Sequence, residues 1–424
     1  MTAFVPFDEV RANVAAVLRE TELPPAAAQI HVIRDVWGRV RIALPESEGA
    51  AAAAFRPISE ALSRRLGPRA YPTGEGVLFL DQASVETLEE AAVPLLPGVA
   101  WCERLVVGSG WWNASPTPGS GQACRYTLYS VKGGVGRSTT AAVLAQRLAS
   151  KGERVLVVDL DLESPGLSAS LIEPDRQPRF GVTDWFVEEL TGQGSHVLDE
   201  LGARPAWAQP LEGDVFVAPA HGRDPGEYLA KLGRVYVDPP RTWIAKLQKM
   251  LLGIETRFQP TTVLVESRSG LHDIAAATVC GLGAEILLFA NGSRSCWTDY
   301  GILFRHWREV GVATELRRRL TLIAALTPED RRKAHLADFR EQAWNVFRDL
   351  IYDEVPSEGP TGDEFSFDIA DEAAPHYPAV VLWTRGLAGS PSLRALPAPA
   401  VDKAYADVFE RLPLPPGDPA RADP

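Results

Sequence analysis

The stretch Tyr129–Ala149, YSVKGGVGRSTTAAVLAQRLA, determines how the rest of the chain is interpreted. An apolar strand ends at Val131, a GGVG run supplies three glycines, and an apolar helix begins at Ser138. Glycine lets backbone N–H groups approach an anion closely, and the N-terminus of a helix favours negative charge. The pattern predicts a phosphate-binding loop between a strand and a helix. The alternative is a glycine-rich turn with a purely structural role.

The loop departs from the standard pattern G-x-x-x-x-G-K-[ST] at two positions. Val131 stands at the first glycine position, and Arg137 stands at the lysine position. Arginine keeps the positive charge, but its planar guanidinium needs more room than a lysine ammonium. We therefore expect phosphate binding with an altered geometry, and we leave turnover open.

Downstream of the loop, apolar strand patterns alternate with helical patterns as far as Leu412. Such alternation predicts an α/β domain, a doubly wound and mostly parallel sheet, over residues 124–412. Residues 413–424 are predicted to be a disordered tail. The strand candidates are Arg125–Val131, Arg154–Asp161, Val215–Ala220, Thr261–Glu266, Glu285–Asn291, Leu320–Leu326 and Ala379–Arg385.

Upstream of the loop, residues 1–112 predict a small α+β domain that precedes the sheet domain. Helical patterns cover 7–20, 53–66 and 85–96, with short β-rich runs between them. Residues 113–123, NASPTPGSGQA, are rich in Pro, Gly and Ser and predict a linker. The first domain carries no chemical signature, so an accessory docking module and a structural role both remain open.

The composition indicates a cytoplasmic protein with two ordinary domains. The chain has 424 residues, 46% of them hydrophobic, and a net charge of -12. That charge argues against a surface built to neutralise DNA, and the basic runs 316–320 and 330–335 are interpreted as solvated helix faces. We expect no export signal and no membrane span. The cysteines are interpreted as reduced thiols; they are Cys102, Cys124, Cys280 and Cys296.

Two motifs together carry a resemblance to a known family. The run KGGVGRST resembles the deviant P-loop K-G-G-x-G-K-[ST] of the ParA/MinD ATPases, and Lys132 matches that family's extra lysine. One helix later, VLVVDLDLESPGLS resembles the family's strand ending in D-x-D. VFVAPA and VLVESRSG extend the likeness, which covers residues 125–412 and implies the P-loop NTPase fold. Nothing in residues 1–123 resembles the family core.

The resemblance implies a role for each matching residue. The backbone amides of the loop would surround the β-phosphate of ATP, Ser138 would bind Mg²⁺, Thr139 would contact the α-phosphate, and Lys132 would reach across a dimer. Asp159 and Glu266 would hold the water shell of the metal, and Asp161 would orient or deprotonate the attacking water. The alternative for the two aspartates is that they are ordinary carboxylates, exposed to solvent at the end of a strand. The loop residues are Gly133, Gly134, Val135, Gly136 and Arg137.

From these roles we expect an ATPase that works as a nucleotide-dependent homodimer switch and hydrolyses ATP slowly. It would act on a protein partner through residues 1–112 or through the acidic segment 353–375. Membrane anchoring is not expected, because the C-terminal segment breaks on prolines. Two alternatives stay open: a non-catalytic nucleotide sensor with a degenerate loop, and a partition-like ATPase that associates with nucleic acid through its arginine runs.

Overall fold

The protein is described here by a computed structural model that covers residues 4–21, 23–24, 30–46, 52–89, 92–112, 123–207, 211–238, 240–355, 364–388, 392, 394 and 396–412. Its contacts divide the chain into two units, Met1–Asn113 and Ala114–Pro424. The linker predicted at 113–123 lies outside the described residues except for residue 123, and the predicted tail 413–424 lies wholly outside them. No helix in the described ranges is long and apolar enough to cross a membrane.

The first unit is the small α+β fold expected from the sequence. A mixed sheet with the strand order β3-β2-β1-β5-β4 has β1 parallel to β5 and antiparallel to β2. The strands are β1 (Ile30–Arg34), β2 (Val40–Pro45), β3 (Val77–Leu80), β4 (Ala92–Leu96) and β5 (Val99–Glu103). The helices are α1 (Val10–Glu20), α2 (Ala52–Leu66), α3 (Gln82–Glu89) and α4 (Ser109–Trp112).

One helix prediction in this unit is wrong in its second half. The helix expected over 85–96 ends at Glu89, and β4 then pairs antiparallel with β5. Pro94 lies in β4, which is one of the two outer strands of the sheet, where a missing N–H costs little. Gly98 supplies the turn between the two strands with a φ of 76°. The pairing with β5 therefore overrides the helical pattern of this apolar run.

The second unit contains a parallel sheet of seven strands with the order β12-β11-β10-β6-β9-β7-β8. Every neighbouring pair in it is parallel, which confirms the predicted doubly wound architecture. Each strand falls on one of the predicted segments. They are β6 (Cys124–Tyr129), β7 (Arg154–Leu160), β8 (Asp214–Ala218), β9 (Thr262–Ser267), β10 (Glu285–Ala290), β11 (Leu320–Thr327) and β12 (Ala379–Leu382).

Helices flank this sheet and bury large aromatic side chains. A core cluster joins the sheet to α7, α9 and α10, and in it Phe186 stacks on Trp243 with ring centroids 4.7 Å apart. A second aromatic cluster joins α11 to α13, where Trp297 contacts Phe339. The helices are α5 (Arg137–Ala149), α6 (Leu167–Leu171), α7 (Val182–Glu189), α8 (Tyr228–Val235), α9 (Pro240–Phe258), α10 (Asp273–Cys280), α11 (Arg294–Glu309), α12 (Ala313–Leu316), α13 (Arg332–Leu350), α14 (Arg385–Ala388) and α15 (Ala398–Arg411).

Because the seven strands are parallel, all of them end at one edge, here called the carboxyl edge, and begin at the opposite amino edge. Strand β6 lies between β10 and β9, and the chain leaves it for β7, on the far side of β9. The strand order therefore reverses direction next to β6, and a crevice opens outside the sheet at such a point. The glycine-rich loop is placed at this crevice.

Candidate functional site

The glycine-rich loop connects β6 to α5 and presents unused backbone donors. Gly134 and Gly136 have φ values of 71° and 86°, which side-chain-bearing residues rarely adopt. Within the described part of the chain, none of the N–H groups of residues 133–136 donates to a protein acceptor. Gly133 and Gly134 are exposed, and a β-carbon added to Gly134 would meet nothing within 4 Å. The loop is thus an open cradle of N–H groups at a helix N-terminus, a ready site for an anion.

Arg137 turns inward from the first position of α5, and its side chain is only 6% exposed. Its guanidinium donates to the Ser130 hydroxyl and, over 3.2 Å, to Asp161 Oδ2. Its Nε lies 3.9 Å from Glu266 Oε1 and has no hydrogen-bond acceptor. The arginine therefore links the glycine loop to two of the predicted acidic residues.

Glu266, at the end of β9, is almost fully buried and lies beside Ser138. Ser138 Oγ donates to Glu266 Oε1 over 2.6 Å, while Glu266 Oε2 is buried without a partner. Burial, reinforced by the nearby Asp159 carboxylate, raises the pKa of Glu266 to about 8. Without nucleotide and metal, the Glu266 side chain therefore holds a proton at neutral pH.

Asp159 lies across from Glu266 in the β7–β9 pairing and is completely buried. Its carboxylate accepts hydrogen bonds from Ser168 Oγ at 2.7 Å, from the Ser168 N–H and from the Asp161 N–H. Burial raises the pKa of Asp159 to about 6, against the opposing effect of the Ser168 bonds. Both oxygens are engaged, so Asp159 is fixed in place and anchors the chain that follows β7.

Asp161, one residue beyond β7, is the more accessible of the two aspartates. Burial raises the pKa of Asp161, and the charge of Arg137 opposes that rise. Nearby, Glu163 accepts hydrogen bonds from Tyr236 and Arg268, so the segment after Asp161 is attached to the segment after β9. The carboxyl ends of β7 and β9 thus form one charged surface beside the loop.

Lys132, at the start of the loop, pairs with an acid that sequence reasoning did not single out. Its Nζ lies 2.5 Å from Asp299 Oδ2 on α11, and the two side chains are 34% and 31% exposed. Thr139 lies half-exposed on the first turn of α5, and no hydrogen bond ties its side chain to the described residues. The structure therefore brings every predicted site residue to the carboxyl edge and adds Ser130, Ser168 and Asp299 to the set.

The residues fit a phosphate with Mg²⁺. Hydroxyl and carboxylate oxygens are the ligands that Mg²⁺ prefers, and Ser138 with Glu266 supplies them beside the anion cradle. Across the described ranges no cluster of three or more His, Cys, Asp or Glu side chains could enclose a metal alone. The protein thus offers part of a coordination shell, which is the usual arrangement when phosphates and water supply the rest.

Some of these contacts had no signal in the sequence. Asp299 lies inside a helical pattern, where an acid is ordinarily a solvated residue, and only the fold brings α11 to the loop. Ser168 could have been found, because it follows the D-x-D segment at the start of a short helix. Ser130 also stands next to the loop in the chain, but its partnership with Arg137 depends on the inward rotamer.

A family comparison matches the region that contains this site. Residues 126–357 match the family described as CbiA, the CobQ/CobB/MinD/ParA nucleotide-binding domain, which is more than half of the 424 residues. No curated protein matches the chain.

Solved structures show similarity at low sequence identity. The ParA of pNOB8 bound to nonspecific DNA is 17% identical, with a TM-score of 0.42, over 68% of this chain and 98% of its own. Apo McdA from Cyanothece is 17% identical, with a TM-score of 0.39, over 68% and 98%. Cobyrinic acid a,c-diamide synthase from Mycobacterium smegmatis with bound ADP and magnesium is 18% identical, with a TM-score of 0.38, over 52% and 82%. Because these scores are low, the assignment rests on the family match.

Proposed function

The chain belongs to the CobQ/CobB/MinD/ParA nucleotide-binding domain family, and on this premise we propose that it binds ATP with Mg²⁺, hydrolyses it slowly and works as a nucleotide-dependent homodimer switch on a protein partner. The observation that carries the proposal is the loop of free N–H groups with Arg137 directly behind it. A triphosphate would accept hydrogen bonds from the N–H groups and would be attracted by the positive charge of the guanidinium. Such charge-assisted contacts are strong.

For the metal we propose Ser138 as the direct ligand and Glu266 and Asp159 as holders of its water shell. Bound Mg²⁺ would supply charge neutralisation for the phosphates. Ser138 Oγ donates its hydrogen to Glu266 and keeps its lone pairs, so this bond does not prevent it from binding the metal, whereas Glu266 must lose its proton to act as an anion. The unpartnered Oε2 of Glu266 is then available for a water molecule.

For hydrolysis we propose Asp161 as the residue that orients or deprotonates the attacking water. Its side chain is 14% exposed, so it can reach a water on the phosphate side. Its contact with Arg137 holds it at the loop and keeps a positive charge within 3.2 Å of the carboxylate. Thr139 would contact the α-phosphate from the same helical turn.

For the dimer we propose that Lys132 reaches the phosphates of a second subunit. In the free chain Lys132 is paired with Asp299, so this contact must break before the lysine can extend. An exposed pair of this kind is worth at most about 1 kcal/mol, which a phosphate can readily exceed. The ion pair therefore disfavours the dimer weakly until ATP is present.

The basic run at 316–320 offers little surface for nucleic acid. Arg317 pairs with Asp353, and Arg319 donates to the backbone of Ala284. Of the three arginines only Arg318 is exposed. One free arginine makes a poor phosphate-binding surface, in line with the net charge of -12.

The test combines light scattering after size exclusion with phosphate release, in ATP, in ADP and without nucleotide. We expect a monomer without nucleotide, a dimer with Mg²⁺-ATP and slow release of phosphate. A chain that binds no ATP would refute the proposal. A steep loss of polynucleotide binding with added salt would instead favour the nucleic-acid alternative.

A second candidate function is a non-catalytic nucleotide sensor, and the inward Arg137 is the observation that favours it. The guanidinium lies against Asp161 and Glu266, the two groups proposed for water activation and metal binding. If it keeps these contacts when ATP binds, both acids are withheld. ATP binding and ATP-dependent dimers without phosphate release would establish the sensor.

A further inference from the structure

The amino edge of the seven-stranded sheet carries a cavity, on the side away from the glycine loop. Its volume is about 490 Å³, within the usual range for small-molecule sites. The first residues of three adjacent strands form its floor: Glu285 of β10, Leu320 and Thr321 of β11, and Ala379 of β12. The cavity therefore belongs to the sheet framework and is separate from the site at the carboxyl edge.

The wall of the cavity comes from residues 365–377, which are tied to α13 and to the residues that follow it. Trp344 Nε1 donates to the carbonyl oxygen of Phe367 at 3.0 Å, and the Phe365 N–H donates to Asp353 Oδ2 at 2.8 Å. His376 is buried, and its Nδ1 lies 2.6 Å from the Tyr352 hydroxyl. This part of the acidic segment 353–375 is thus fixed, and the cavity is preformed; residues 356–363 lie outside the described ranges.

Two opposite charges line the cavity without partners in the described part of the chain. The Glu285 carboxylate accepts no hydrogen bond, although it is half-buried. The Arg318 guanidinium forms no ion pair and lies 5.7 Å from the centre of the Phe365 ring. The other two lining charges, Glu372 and Arg411, pair with each other at 3.0 Å.

A half-buried carboxylate without a hydrogen-bond donor is costly, so Glu285 indicates that a ligand would supply a cation, while Arg318, which is exposed at the cavity, offers its charge to an anionic group. Burial raises the pKa of Glu285, and the charge of Arg319 opposes the rise. An anion alone would satisfy Arg318 but would be repelled by Glu285. A ligand that carries both charges satisfies both residues.

We propose that this cavity binds a small zwitterion of the amino-acid type. Its ammonium group would pair with Glu285, its carboxylate would pair with Arg318, and its body would lie against Phe365 and Phe367. The volume suits one small molecule, and the two phenyl rings favour an apolar or aromatic body. This site does not depend on nucleotide binding at the opposite edge.

The test begins with the full-length protein and each of the common free L-amino acids as probes. Thermal shift identifies those that stabilise the protein, and calorimetric titration gives their dissociation constants. We expect at least one to bind, and we expect Glu285→Gln and Arg318→Gln each to weaken it by about tenfold to a hundredfold. Glu309→Gln and Arg305→Gln, at exposed positions of α11, are the matched controls and should leave the affinity unchanged.

Analogues of the bound amino acid separate the two contacts. The N-acetyl form lacks the ammonium and should bind Glu285→Gln at least as tightly as the unaltered protein, while the methyl ester, which lacks the carboxylate, should bind Arg318→Gln at least as tightly. The proposal is overturned if no amino acid binds, if both cavity variants keep the original affinity, or if the N-acetyl and ester forms bind as tightly as the parent. ATP titration of Glu285→Gln and Arg318→Gln should match that of the unaltered protein, so failure here leaves the nucleotide proposal intact.

Discussion

The two edges of the seven-stranded sheet treat their charged side chains in opposite ways. At the carboxyl edge the charges are paired within the protein: Arg137 contacts Asp161, and Lys132 pairs with Asp299. At the amino edge Glu285 and Arg318 face a cavity with no partner among the described residues. A ligand at the first edge must therefore compete with internal ion pairs, whereas a ligand at the second edge would supply missing partners.

The largest expected effect concerns the internal partner of Arg137. Asp161→Ala should lower phosphate release by about 10²- to 10⁴-fold, because positioned acid–base groups contribute on that scale. ATP binding should persist, since the variant removes a competitor for Arg137 and leaves the loop amides in place. Phosphate release and calorimetric ATP titration measure the two effects. Asp175→Ala, at an exposed position, is the control, and an unchanged rate in Asp161→Ala would remove this residue from the mechanism.

Substitutions of the buried Arg137 should give the next largest effect, and they test whether this residue binds the phosphates or only its protein partners. Arg137→Ala should weaken ATP binding by about tenfold to a hundredfold, because a hydrogen bond to a charged group is lost. Arg137→Lys should lose less, because the charge stays, and it should release phosphate at least as fast as the unaltered protein. Arg305→Ala on the surface of α11 is the control in the same titration. Unaltered affinity in Arg137→Ala would show that the arginine is structural.

The Lys132–Asp299 pair gives two effects of opposite sign. Lys132→Ala should retain nucleotide binding but lose the ATP-dependent dimer, because the group that reaches the second subunit is gone. Asp299→Asn should strengthen the dimer by about fivefold or less, which is the value of one exposed ion pair. Analytical ultracentrifugation with ATP measures both constants. Normal dimers in Lys132→Ala would contradict the cross-subunit contact, and an unchanged constant in Asp299→Asn would contradict competition by the internal pair.

A separate effect, on stability alone, is the pH dependence that Glu266 produces in the absence of nucleotide and metal. Its folded pKa of about 8 lies above the ordinary value of 4.5, so between these values the folded chain holds a proton that the unfolded chain has released. The free energy of unfolding therefore falls as the pH rises through this window. Above it, Glu266 is ionised in both states, and the loss of stability reaches its full size.

Glu266→Gln removes this titration. As the pH rises from about 5 to about 8.5, the unaltered protein should lose stability through Glu266, whereas the variant should not. We expect the difference in Tm to grow by a few degrees, measured with a chelator present. Glu309→Gln, on the exposed face of α11, should show no such growth. Parallel Tm curves for Glu266→Gln and the unaltered protein would mean that Glu266 is ionised in the folded state at neutral pH.

The sheet domain, its seven strands and the chemistry of its loop could all be predicted from the amino-acid sequence. Buried parallel strands are continuous apolar runs, which few other structures produce. A glycine loop before a helix is a local pattern. Both can therefore be recognised from the sequence without knowledge of the fold. The same reasoning failed over 85–96, where an apolar run with Pro94 was compatible with a helix until pairing with β5 decided the strand.

The partners of the charged residues could not be predicted from the sequence, because they depend on how the chain folds. Lys132 and Asp299 are far apart in sequence, as are Ser138 and Glu266, and their contacts exist because α11 and β9 are packed beside the loop. The cavity at the amino edge likewise needs three strands and residues 365–377 together. Local patterns fix backbone conformation because backbone forces act over a few residues. Side-chain pairing depends on through-space distance and burial, which come into being only when the chain has folded.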